Sequence, residues 1–111
     1  MRLSTNEYTY GQQANPAGTI SMTKIKNRLK KDAPELEIVT FSNQRVNGIL
    51  EGASGFVRNP EGGQHVYISS AHGRDGEILV RRAKGPKDYT GESNHFTTFD
   101  EFIDTVRELA V

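Results

Sequence analysis

The residues best suited to chemistry lie in and just before the stretch RRAKGPKDYTGESNHF, residues 81–96. Phosphodiester cleavage without a metal needs a general base, a general acid that titrates near neutral pH, and cations for the charge that develops on the phosphate oxygens. Glu77 could be the base, and His95 or His72 the acid. Cationic and stacking groups for the same site are Arg81, Arg82, Lys84 and Tyr89. These residues fit a metal-independent ribonuclease, although most soluble domains of this size offer the same residue types.

The sequence gives no support to metal or cofactor chemistry. It has no cysteine, which excludes thiolate zinc sites, iron–sulfur clusters and cysteine nucleophiles. No two of its three histidines stand four residues apart, and glycine-rich phosphate-binding motifs are absent. We therefore expect no cofactor and no metal. The ordinary interpretation of each histidine is a surface or helix-capping role.

Charge is balanced overall but unevenly distributed. The net charge is zero, yet residues 1–31 hold six basic residues and one acidic residue, whereas residues 98–111 hold one basic and four acidic. Such a dipolar surface can attract a charged partner despite the zero total. Lys24, Arg28 and Lys31 fall on one helix face at positions i, i+4 and i+7. The predicted binding residues are this group together with Arg81, Arg82, Lys84, Lys87, Tyr89 and His95.

Two amphipathic helices are predicted. Met22, Ile25, Leu29 and Ala33 recur with helical spacing after a capping Ser21. The lysines and the arginine on the other faces make this first helix strongly basic. Near the other end of the chain, Thr98 and Glu101 have the spacing of a capping box, and Phe99, Phe102, Val106 and Leu109 follow with helical spacing. The acidic side chains in its first turns suit the positive end of a helix dipole.

Between the helices the pattern predicts extended segments. Glu35–Phe41 alternates, Asn47-Gly48 suits a tight hairpin turn, and Ile49–Val57 follows with glycines that indicate a bulge or bend. His65–Ser70 alternates with Val66 and Ile68 inward and with His65, Tyr67 and Ser69 outward. Glu77–Lys84 then returns along it.

The expected fold is α+β, with a three- to four-stranded antiparallel meander and both helices packed on one face. Residues 1–18 are expected to be a flexible arm and residues 19–111 a single domain. No segment reaches the length of about 20 apolar residues that a membrane span needs, and we expect a cytoplasmic location without membrane contact.

The function that best fits these features is a small, non-catalytic interaction module that binds a protein partner through its charged faces. The alternative is a nucleic-acid-binding protein or the ribonuclease that uses residues 81–96. Pairing of a basic helix with an acidic helix across a dimer would fit the same composition.

Overall fold

The computed structural model describes residues 20–71, 76–88 and 93–111. The predictions for the arm at residues 1–18, for His72 and for Tyr89 lie outside these residues. In the described part, the elements are α1 (Met22–Asp32), β1 (Glu37–Val46), β2 (Ile49–Arg58), β3 (His65–Ser69), β4 (Glu77–Ala83), β5 (His95–Thr98) and α2 (Phe102–Leu109). The strands form one antiparallel sheet in the order β1-β2-β3-β4-β5. The α+β class is confirmed.

The expected strand number was wrong, because the sheet has five strands rather than three or four. The additional strand is β5, which pairs antiparallel with β4 from Glu77 opposite Thr98 to Val80 opposite His95. It has four residues, HFTT, a segment too short to show a convincing alternation. Its extended form depends on pairing with β4, a tertiary contact that local sequence does not reveal.

The two helices pack side by side against one face of the sheet. α1 lies over β1 and β2, and α2 lies over β4 and β5. Together they bury one apolar core with the inward side chains of the central strands. From the helices this core takes Ile25, Leu29, Phe102, Ile103 and Val106, and from the sheet Ala53, Val57, Val66, Ile68, Ile78 and Val80.

Helix α2 begins later than the capping pattern suggested. Its first residue is Phe102, and residues 99–101 form a turn. The Thr98 hydroxyl still accepts a hydrogen bond from the Glu101 backbone N–H at 3.3 Å. Because Thr98 also belongs to β5, the same residue ends the strand and begins the turn.

Two register shifts make β1 and β2 irregular. Val39 is an extra residue on β1, so Ile38 and Phe41 both pack against the helix-side core rather than on opposite faces as alternation predicted. On β2, Glu51 is the extra residue. The bulge predicted from the glycines is therefore present. The hairpin turn is also confirmed, since Asn47 and Gly48 both have positive φ, at 53° and 79°.

The face of the sheet that is remote from the helices is also packed, which corrects the outward assignment of Tyr67 and Ser69. Both are buried, and Tyr67 joins Phe56, Leu79 and Ala83 in a second apolar cluster. The rings of Phe56 and Tyr67 lie 5.1 Å apart, within the range of favourable aromatic pairs. On β3, alternation separated the two faces of the sheet correctly, but it did not show that side chains on both faces are buried.

Candidate functional site

The sheet register places the two catalytic candidates on opposite faces. His95 lies directly opposite Val80, a residue of the helix-side core, whereas Glu77 and Arg81 share the other face with Leu79. Directly paired residues of an antiparallel sheet point to the same side, and neighbours along a strand point to opposite sides. A general base and a general acid must both reach one substrate. The described geometry does not bring Glu77 and His95 together in this way.

Arg81 and Arg82 are separated by the same alternation. The Arg81 guanidinium lies 4.8 Å from the centre of the Tyr67 ring and donates to Asn94 Oδ1 at 3.0 Å. Arg82 lies on the helix side, where its Nε donates to the Leu109 carbonyl at 3.0 Å and so holds the end of α2. The predicted arginine pair therefore does not form one cationic site.

Lys84 and Lys87 lie in the connection after β4, and both are exposed. The Lys84 backbone N–H donates to Asp88 Oδ2 at 2.9 Å, and the Asp88 N–H donates to the Gly85 carbonyl at 3.2 Å. Lys87 has a positive φ of 76°. These contacts form a local turn around the two exposed lysines.

In the basic group of α1, Arg28 has a structural role. It is paired with Asp32, donates from Nη1 to the Phe99 carbonyl at 2.7 Å, and donates from Nη2 to the Asp100 carbonyl at 3.0 Å. Its guanidinium also lies 5.2 Å from the centre of the Phe99 ring. Arg28 therefore joins α1 to the turn that precedes α2, and its charge is largely used within the chain.

The lysines of α1 fall on two flanks of the helix. Lys24 lies on the α2 side, with its ammonium 5.9 Å from the centre of the Phe99 ring, and Lys31 follows on the same side. Lys26 and Lys30 are each two positions from Arg28, which turns them about 200° away from it. Since Arg28 points to α2, this second flank faces the β1 edge of the sheet. Lys30 is exposed and Lys26 is half-buried.

A further ion pair joins α2 to the segment that leads into β1. Arg107 donates to both carboxylate oxygens of Glu35, at 2.8 and 3.2 Å, and to the Asp32 carbonyl at 2.6 Å. The side-chain hydrogen bond from Arg107 is the main reason that the pKa of Glu35 lies below its usual value. The same bond raises the pKa of Arg107.

Residues 20–71, 76–88 and 93–111 bring together no set of metal ligands. No cluster of three or more histidine and carboxylate side chains in these ranges could hold an ion. Among the same residues, no helix is long and apolar enough to cross a membrane.

Comparison with protein-family models, curated proteins and solved structures finds no match to this chain.

The outer edge of β1 was not among the surfaces predicted from the sequence. β1 is an edge strand of ten residues, and Val39 and Val46 on it are exposed. Its sequence predicted a strand, but whether a strand is central or at an edge depends on the order of the strands in the sheet. The lysine flank beside it was hidden for the same reason, because the orientation of α1 is set by tertiary contacts.

Proposed function

We propose that this protein is a small, non-catalytic interaction module that binds an acidic protein partner through the lysines of α1. The observation that carries this proposal is the contrast between three paired arginines and the exposed lysines of α1. Arg28, Arg58 and Arg107 are each paired with a carboxylate inside the chain, whereas Lys24, Lys30 and Lys31 are exposed. Exposed cations of this kind steer and hold a partner of opposite charge.

Acidic protein is favoured over nucleic acid by what surrounds these lysines. The Lys24 flank borders the turn that carries Asp100 and Glu101, and Asp104 follows in the first turn of α2. A nucleic-acid backbone carries a charge at every nucleotide, so these carboxylates would repel the phosphates next to those that contact the lysines, whereas a protein segment can carry its acidic side chains opposite the lysines alone. The separation of Glu77 from His95 likewise counts against a ribonuclease that uses these two residues as its base and acid.

The test measures binding of a fluorescent polyglutamate peptide to two variants with equal charge change. Lys24, Lys26, Lys30 and Lys31 are all replaced by glutamine in one, and Lys84 and Lys87 by glutamate in the other. We expect the α1 variant to lose at least roughly tenfold in affinity and the loop variant to bind nearly as the parent chain does. Circular dichroism confirms that both variants are folded.

Three results would overturn the proposal. Equal affinity of the parent chain and the α1 variant would show that these lysines do not bind acidic protein. Tighter binding to an RNA or duplex DNA oligonucleotide than to a peptide of the same charge, weakening steeply with salt, would favour the nucleic-acid alternative. Cleavage of the RNA would establish the ribonuclease.

A further inference from the structure

We infer that the outer edge of β1 accepts an extended acidic segment of another protein as a sixth strand, guided by Lys26 and Lys30. This inference rests on the proposed function and specifies where and how the partner binds. An edge strand presents a row of backbone N–H and C=O groups that can pair with an added strand. In the described part of the chain, β1 has a strand partner on one side only.

The strand lacks most of the devices that protect exposed edges from pairing. Such devices are short length, proline, charged side chains (lysine above all) and bulges. β1 has ten residues, EIVTFSNQRV, with no proline and no lysine, and its two charged residues are Glu37 and Arg45 near its ends. Its one bulge, at Val39, lies near the start and leaves Thr40–Val46 continuous on β1. That length is enough to pair with a typical short strand.

The charge beside this edge selects an acidic strand. α1 is fixed above β1 by a hydrogen bond from the Met22 backbone N–H to Asn43 Oδ1 at 2.9 Å. Lys26 and Lys30 project from the flank that faces away from α2 and so toward this edge. Glu37, the acidic residue of β1, is paired with Arg58 at 2.7 Å, which reduces its repulsion of an incoming carboxylate.

A second copy of the chain fits the same edge less well. Antiparallel pairing of two β1 strands about a twofold axis would extend one sheet and place both α1 helices on the same face. The Lys26 and Lys30 flanks of the two copies would then face each other, and like charges repel. The carboxylates of an acidic strand at the same position would instead be attracted by these lysines.

The test compares two acidic peptides of about seven residues, the length of a short strand. One alternates Glu and Val, and the other has the same charge but prolines at alternate positions, which removes the N–H groups that pair with a sheet. Fluorescence anisotropy with the full chain measures both affinities. We expect the strand-forming peptide to bind at least roughly tenfold more tightly than the proline peptide.

Matched variants locate the site. Replacing Lys26 and Lys30 with glutamate should weaken the strand-forming peptide at least roughly tenfold, and the same change at Lys24 and Lys31 should weaken it less than about threefold. Equal affinity for the two peptides, or an equal loss of affinity in the two variants, overturns the assignment of the binding site to β1. Binding of polyglutamate to the parent chain would then still support the proposed function. Loss of all acidic-peptide binding by the parent chain overturns both. A dimer in sedimentation that excludes the peptide assigns the edge to a second copy instead.

Discussion

The two edge strands of the described sheet, β1 and β5, differ in length and in how they are connected to the helices. β5 has four residues and continues through the turn at Thr98 into α2, whose Phe102 is fully buried. Arg28 reaches across from α1 to the carbonyls of that turn. β1 is more than twice as long, and its outer side has no strand partner in the described chain. One edge is therefore short and tied into the helix layer, whereas the other is long and ends the sheet among the described residues.

Removing the buried ring that anchors the β5 end should have the largest effect. Phe102→Ala deletes a fully buried side chain that packs 5.4 Å from the Phe99 ring, and such changes cost about 3–5 kcal/mol. Urea denaturation followed by circular dichroism measures the loss. The control is Val111→Ala, at a position that is 81% exposed, which should change stability by less than about 0.5 kcal/mol. Similar effects of the two substitutions would contradict the described core.

The β1 edge is attached through a close contact that only glycine permits. A Cβ at Gly55 would lie 2.0 Å from the Thr40 carbonyl oxygen and 2.4 Å from the Phe41 ring. Gly55→Ala should therefore separate β1 from β2 at a cost of roughly 3 kcal/mol. Thermal unfolding of Gly55→Ala beside Gly85→Ala checks this, because a Cβ at Gly85 meets nothing within 4 Å. Unchanged stability of Gly55→Ala would mean that the β1–β2 register is different.

Arg28 should contribute less to the stability of the fold than the Phe102 ring or the close contact at Gly55. It acts through hydrogen bonds rather than packing. Arg28→Met removes a charged donor to two carbonyls and should cost about 2 kcal/mol. Lys30→Met, on the opposite flank of α1, should change stability by less than about 0.5 kcal/mol. Chemical denaturation of both variants compares the flanks directly. If Lys30→Met were the more damaging change, the orientation assigned to α1 would be wrong.

The Glu35–Arg107 pair should have the smallest effect on stability, and this effect should depend on pH. Because hydrogen bonding from Arg107 lowers the pKa of Glu35 in the folded chain, the pair stabilises the fold above the ordinary glutamate titration range. That contribution is lost as the pH falls through the lowered folded-state pKa. The stability difference between the parent chain and Glu35→Gln should therefore be present at neutral pH and vanish in acid. A stability difference that grew on acidification would contradict the lowered pKa of Glu35 in the folded chain.

The sequence predicted those features that depend on local pattern. The helical spacing at Ile25 and Leu29, the Asn47-Gly48 turn and the alternation at Val66 and Ile68 each reflect one element and its neighbours. β5 was missed because four residues cannot show a period. The depth of burial of Tyr67 was missed because alternation identifies a face but not what packs on it.

The candidate site was less predictable for a related reason. Residues 81–96 looked like one cluster because they are adjacent in sequence, but in a strand adjacent residues point to opposite faces. Arg81 and Arg82 are divided in this way, and so are Glu77 and His95. Arg28 was predicted to face a partner, whereas its bonds to the turn before α2 depend on how the two helices pack.

The most direct test of peptide docking at the outer edge of β1 is hydrogen exchange of the full chain with and without the strand-forming acidic peptide. Bound peptide should slow exchange of outward-facing amides within Thr40–Val46 and leave the amides of β5 unchanged, because only β1 gains a strand partner. Peptide binding that protects neither edge, or protects β5 instead, would contradict the assignment of β1 as the docking edge.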